Sequence, residues 1–187
     1  MNPLRTLSLL LCSSALTLGS LGSLGCASAP ETQPAQHDLE AEADATIAEM
    51  ARSDSSLPPL LADAEGFVVF PTVGEGAVVA GAANGVGVLY ESGRPIGYAE
   101  LREGSFGAQV GGQAYSQLVV FRSERALEAF KREPLEFSAE ASATVLTEGA
   151  AASAPFADGR AVFIDDESGA MVEASVAGQV IRYEPES

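Results

Sequence analysis

From Phe67 to Ile181 the chain is a succession of short apolar runs, and this limits its fold more than any other feature. The runs are "FVVFP", "AVVAGAANGVGVLY", "IGYAEL", "SFGAQVGGQAY", "QLVVF", "LEFSAEASATVL", "RAVFI" and "AMVEASVAGQVI". Turn signals separate several of them: Glu91-Ser92-Gly93, Arg102-Glu103-Gly104, and Asp165-Asp166-Glu167-Ser168-Gly169. Alternation is clearest in Phe137, Ala139, Ala141, Ala143 and Val145, and again in Val172, Ala174 and Val176. Such alternation predicts an antiparallel sheet with one buried face. One helix interrupts the strands: Ser123 is its N-cap, Ala126, Leu127 and Phe130 form its apolar stripe, and Pro134 stops it.

Within this region "EGSFGAQVGGQAY" places Gly104, Gly107, Gly111 and Gly112 inside a strand-like pattern. Glycine in a strand marks a bulge, a bend or a close approach to the backbone. An Ala- and Gly-lined face lets a second layer come close, or lets the sheet curve into a barrel. The same face suits a packed seam or a slot for an acyl chain, and the pattern does not separate the two. Trp is absent and aromatics make up only 6% of the chain, so the core has few large anchors.

The N-terminus reads as an export signal. Met1 to Arg5 is a short positive segment, Leu7 to Leu18 is a 12-residue apolar stretch, and small residues lead to Ser23-Leu24-Gly25-Cys26. Residues 1–25 are therefore expected to be a signal peptide, too short for a comfortable membrane span. Cys26 resembles the lipidated cysteine of a bacterial lipobox, although Leu24 stands one place late, where Ser23 would be Leu in the usual pattern. A cleaved signal without lipid is the alternative. Removal of the signal takes Cys12 with it and leaves Cys26 as the lone thiol, so no internal disulfide forms. Two acyl chains on Cys26 would hold the protein firmly to a bilayer. The lipidated tether is assigned to 26–37 and one domain to 38–187, with a helix over 38–52 and a strand-rich part over 66–183.

In the helix, Leu39, Ala43, Ile47 and Met50 share a face, acidic residues cluster toward its start, and Arg52 lies at its end. Ser53 to Ser56 break it, and Leu60 and Leu61 belong to a further short turn of helix. Without the signal the chain carries 9 basic and 26 acidic residues. Nucleic acid is excluded as a partner, because no basic stripe replaces phosphate counterions. Solubility and self-repulsion account for the charge.

No catalytic constellation is legible. His37, the single histidine, sits in the tether or at the helix start, where a general base has no fixed geometry. Asp165, Asp166 and Glu167 lack the alternating ligands of a calcium loop and read as a solvated turn. Gly74-Glu75-Gly76 and Gly85-Val86-Gly87 are flanked by Val-rich strand rather than a helix, so they read as strand bends and not phosphate loops. Ser105 and Ser116 have no histidine partner. A noncatalytic protein without cofactor or metal is expected.

The ordered set "LPPLLADAEGFVVFP", "GVGVLY", "GSFGAQVGGQ", "LVVFRSERALEAF", "AEASATVLTEGA" and "SGAMVEASVAGQVI" resembles the SYLF lipid-binding domain family, from about Leu57 to Tyr183. The resemblance implies membrane-lipid binding rather than catalysis. It also implies an α+β fold with a mainly antiparallel, curved or barrel-like Gly/Ala-rich sheet, an N-terminal helix and one inserted helix. Gly104, Ser105, Gly107, Gln109 and Gly111 are its motif positions, as architecture or as lipid contacts. Glu65 stands where a lysine is common in the family, and the preceding helix is acidic, so phosphoinositide recognition does not carry over. The expected protein is a lipoprotein of the bacterial envelope, in the outer membrane facing the periplasm. The alternative is a lipid-anchored scaffold that binds another envelope protein through a strand edge.

Overall fold

The computed structural model describes residues 28–75, 82–104, 114–138, 141–165, 174–176 and 178–186. Cys26, Ser105, Gly107, Gln109 and Gly111 lie outside the described residues, and of the expected motif only Gly104 lies inside, at the end of a strand.

The chain opens with α1 (Gln33–Ser53) and α2 (Leu57–Ala62). Strands β1 (Gly66–Glu75), β2 (Ala82–Glu91), β3 (Arg94–Gly104) and β4 (Tyr115–Phe121) follow, then α3 (Glu124–Arg132). The remainder is β5 (Leu135–Glu136), β6 (Ser142–Val145), α4 (Ala150–Ser153), β7 (Arg160–Asp165), β8 (Ala174–Ser175) and β9 (Gln179–Pro185). Among the described residues these strands form one sheet in the order β5-β9-β3-β2-β1-β4-β7-β6-β8. Every pairing is antiparallel except that of β6 with β7. The α+β, mainly antiparallel and curved fold is therefore the observed one.

Several local readings hold. Ser92 and Gly93 both have positive φ (51° and 73°), and Glu91 pairs with Arg94, giving a two-residue hairpin of the kind that matches strand twist. The Ser123 side chain accepts from the Ala126 N–H, and Ala126, Leu127 and Phe130 are buried, as expected for α3.

Others are corrected. The first helix begins at Gln33, not at residue 38, because Pro34 sits in its first turn, where a missing N–H costs nothing. Residues 33–37 are thus helix rather than tether, and no acidic residue falls in the first turn. Arg102, Glu103 and Gly104 are not a turn; β3 runs through them because β2 and β9 pair with it on both sides. The segment 135–145 splits into β5 and β6. Asp165 is the half-buried last residue of β7, accepting from Ser53 Oγ at 3.2 Å, rather than part of a solvated turn.

The expectation of one buried face also fails. Phe67 and Val69 of β1 pack with α1, α2 and α4 on one side, while Val68 and Phe70 pack with α3 on the other. The continuous runs "FVVF" and "LVVF" are what a strand covered on both faces requires. Helix α1 is seated by Ala43 and Met50, both fully buried, and by two phenols. Tyr90 Oη donates to Asp44 Oδ1 at 2.8 Å and Tyr98 Oη to Glu40 Oε1 at 3.1 Å. Burial, and then these hydrogen bonds to carboxylates, push both phenols well above the usual tyrosine range. Part of the acidic face of α1 is therefore a docking surface rather than a solvated one.

Gly85 and Gly87 share the α3-facing side of β2 with Leu89. A Cβ on Gly87 would lie 2.7 Å from Phe70 Cδ1 and 2.4 Å from the Val69 carbonyl. The glycine thus leaves room for the Phe70 ring to lie across the strand, which makes "GVG" a strand feature and no phosphate loop. Over the described residues this face is a packed seam, filled by Phe70, Phe121, Leu127 and Phe130.

Candidate functional site

The seam ends in polar side chains. Along β4, Tyr115 and Gln117 follow the parity of Val119 and Phe121. Along β9, Gln179 follows that of Ile181, and along β3 Glu103 follows that of Ala99 and Leu101. All four polar residues therefore point to the α3 side, at the end of the sheet where β3 finishes and β4 and β9 begin.

Gln117 Nε2 donates to Gln179 Oε1 at 3.0 Å. Gln179 Nε2 donates in turn to Glu103 Oε2 and to Tyr115 Oη, both at 3.1 Å. Strands β4 and β9 are separated by β1, β2 and β3. In a flat sheet four strand spacings would hold them about 19 Å apart, too far for two glutamines to touch. The Gln117–Gln179 bond is thus direct evidence of the curl, and the missing side chains of Gly85 and Gly87 help to make it.

Both glutamines are fully buried, whereas Glu103 and Tyr115 are half-buried. Among the described residues, Gln117 Oε1 has no hydrogen-bond partner. Its orphan state follows from charge. The Glu103 carboxylate only accepts, so it must face Gln179 Nε2; Gln179 Oε1 then faces Gln117 Nε2, and Gln117 Oε1 is left over. Exchanging either amide alone would set oxygen against oxygen or nitrogen against nitrogen. Burial, and then the Glu103 charge, push the Tyr115 phenol above its usual range, partly offset by the hydrogen bond from Gln179.

Neither Gln117 nor Gln179 stood out in the sequence, although a polar residue at an inward parity position in each of two strands was the available signal. Residues 104–111 were favoured instead, and Gly104 pairs with Ala82 at this same end of the sheet. Ser116 faces away from this cluster and donates to the Pro71 carbonyl at 2.6 Å. His37 lies on α1, mostly exposed, 3.5 Å from Glu40. A second polar locus is a shallow depression bordered by Arg125 and Arg160, the latter 3.5 Å from Asp158.

Residues 102–186 match the family model Ysc84, described as Las17-binding protein actin regulator. This match is consistent with the SYLF resemblance read from the sequence. The match takes in Glu103, Tyr115, Gln117 and Gln179, together with α3 and β4 to β9. The resemblance read from Leu57 to Leu101 lies ahead of it. No curated protein matches the chain.

Proposed function

We propose that the protein is a noncatalytic, lipid-binding lipoprotein of the bacterial cell envelope, anchored through Cys26 and facing the periplasm from the outer membrane. The resemblance to the SYLF lipid-binding family supports the lipid-binding part of this reading, and the match over residues 102–186 is consistent with that resemblance. The signal-like residues 1–25 and Cys26 motivate the anchor and the address. The formal charge of −16 makes electrostatic attraction to anionic headgroups unfavourable, so the domain should prefer zwitterionic surfaces.

One observation favours a second reading, the lipid-anchored scaffold. On its β5 side, β9 is bonded at Gln179, Val180 and Ile181 among the described residues, which leaves Arg182 to Pro185 as a strand edge. The family description also names a protein, not a lipid, as what is bound.

Vesicle flotation separates the two. The chain from Ser28 onward contains every described element and lacks Cys26. Flotation on zwitterionic vesicles that persists at high salt is the expected result. No flotation on any composition would leave Cys26 as the only membrane contact and favour the scaffold.

A further inference from the structure

We propose that the Gln117–Gln179–Glu103–Tyr115 cluster is a binding site for a primary ammonium group. Three features of the cluster point to this ligand class. A buried amide oxygen without a partner calls for a hydrogen-bond donor, because leaving such an acceptor unmade is costly. Its orientation is fixed through Gln179 by the Glu103 charge, so the cluster cannot relieve itself by turning one amide over. No cationic side chain pairs with Glu103 among the described residues, whereas Glu100, three positions back, has Arg102 at 3.2 Å. The site therefore combines spare acceptors with one uncompensated negative charge.

A group that is both cationic and rich in N–H donors answers both needs. A quaternary ammonium supplies the charge without donors. A hydroxyl supplies a donor without charge. A divalent metal ion asks for more oxygen ligands than one carboxylate and one amide offer. The half-buried Glu103 and Tyr115 form the outer layer, with the buried glutamines beneath them, so a ligand meets the charge first and the amide second.

An amine-bearing lipid headgroup and a free amine share this chemistry. The headgroup source rests on the lipid-binding reading above; the site itself does not. The test uses the full chain in a nonionic detergent. It is titrated with ethanolamine, choline, and short-chain phosphatidylethanolamine and phosphatidylcholine, and binding is followed by calorimetry and by the side-chain amide NMR signals of Gln117 and Gln179. Ethanolamine is expected to bind at least about tenfold more tightly than choline, the scale of a hydrogen bond to a charged group, and to shift the Gln117 amide signals. Phosphatidylethanolamine binding more tightly than ethanolamine would identify a headgroup site. Equal affinities would identify a free-amine site and count against lipid recognition here, leaving the ammonium site standing. The inference is overturned if choline equals ethanolamine, or if no amine binds and Gln117 holds only a water. Gln117→Leu should remove the preference for ethanolamine over choline. Because the wild-type comparison stands without it, a misfolded variant does not blunt the test.

Discussion

Two buried polar centres lie at different places in this molecule, and they are built on opposite principles. Asp54, at the C-terminus of α1, is fully buried and fully engaged. Its Oδ1 accepts from the Ser56 N–H at 2.9 Å, Ser56 Oγ at 2.7 Å and the Gly149 N–H at 3.0 Å, and its Oδ2 from the Ala151 N–H at 2.6 Å. Gln117 is equally buried but leaves an acceptor unused. Asp54 ties the α1–α2 junction to the start of α4, some 95 residues away in sequence, and nothing remains to be bound there. The difference teaches how to read buried polarity: a saturated group is architecture, and an under-saturated one held in place by a charge is a candidate site.

The comparison is broken most severely at Asp54. Asp54→Ala strips the partners from three backbone N–H groups and should cost about 3 kcal/mol or more. A shifted denaturant midpoint with an unchanged slope is the expected readout; a loss below about 1 kcal/mol would show that the junction is not what holds α4. Acid sharpens the same point. Burial alone would raise the Asp54 pKa, but the hydrogen bonds from Ser56, Ala151 and Gly149 outweigh it and hold the group below its ordinary value. The folded-state pKa is therefore the lower one. As pH falls, the unfolded chain takes up the proton first, near pH 4 or so, and the Asp54 contribution is lost as pH drops through the folded value. Denaturant midpoints across that window should fall more steeply in the wild type than in Asp54→Asn.

A smaller effect is expected at Ser56. Its hydroxyl donates to Asp54 and accepts from the Ala152 N–H at 3.0 Å. Ser56→Ala removes both bonds at an exposed helix start and leaves the Asp54 contacts with Gly149 and Ala151, so about 1 kcal/mol should be lost.

What was legible in the sequence follows the same division between local and remote causes. Helix α3 was readable because its cap, stripe and stop lie within a dozen residues. The strands were readable from period-2 runs, and the curl from glycine within them, although the glycines that demonstrably make room are Gly85 and Gly87. Helix α4 was not readable: "AAAS" has no cap of its own, and its N-terminal N–H groups are answered by Asp54. The Gln117–Gln179 pair was hidden for a related reason. Period 2 tells which face a residue occupies, but not that β4 and β9, with three strands between them, will face each other across the curl. The double covering of the sheet was partly visible in "FVVF" and "LVVF", whose lack of alternation was outweighed by the Ala-rich runs at residues 137–145 and 172–176.

The smallest expected effect carries the most information about the second centre. Replacing both amides, Gln117→Leu with Gln179→Leu, removes the orphan acceptor and its partner together. Glu103 and Tyr115 each lose the hydrogen bond from Gln179 Nε2, but both are half-buried and can turn to water. Exchanging a polar pair for apolar groups of similar shape is close to neutral, and here an unmet acceptor disappears with it. Thermal and denaturant midpoints should therefore stay within about 1 kcal/mol of the wild type, or rise. The single Gln179→Leu should cost more than the double variant, since it strands Gln117 Nε2 beside Gln117 Oε1. If the double variant instead falls as far as Asp54→Ala, the cluster is a structural tie like the Asp54 junction, and the distinction drawn between a saturated and an under-saturated centre is wrong. If it holds its stability, these four side chains are kept for something other than folding.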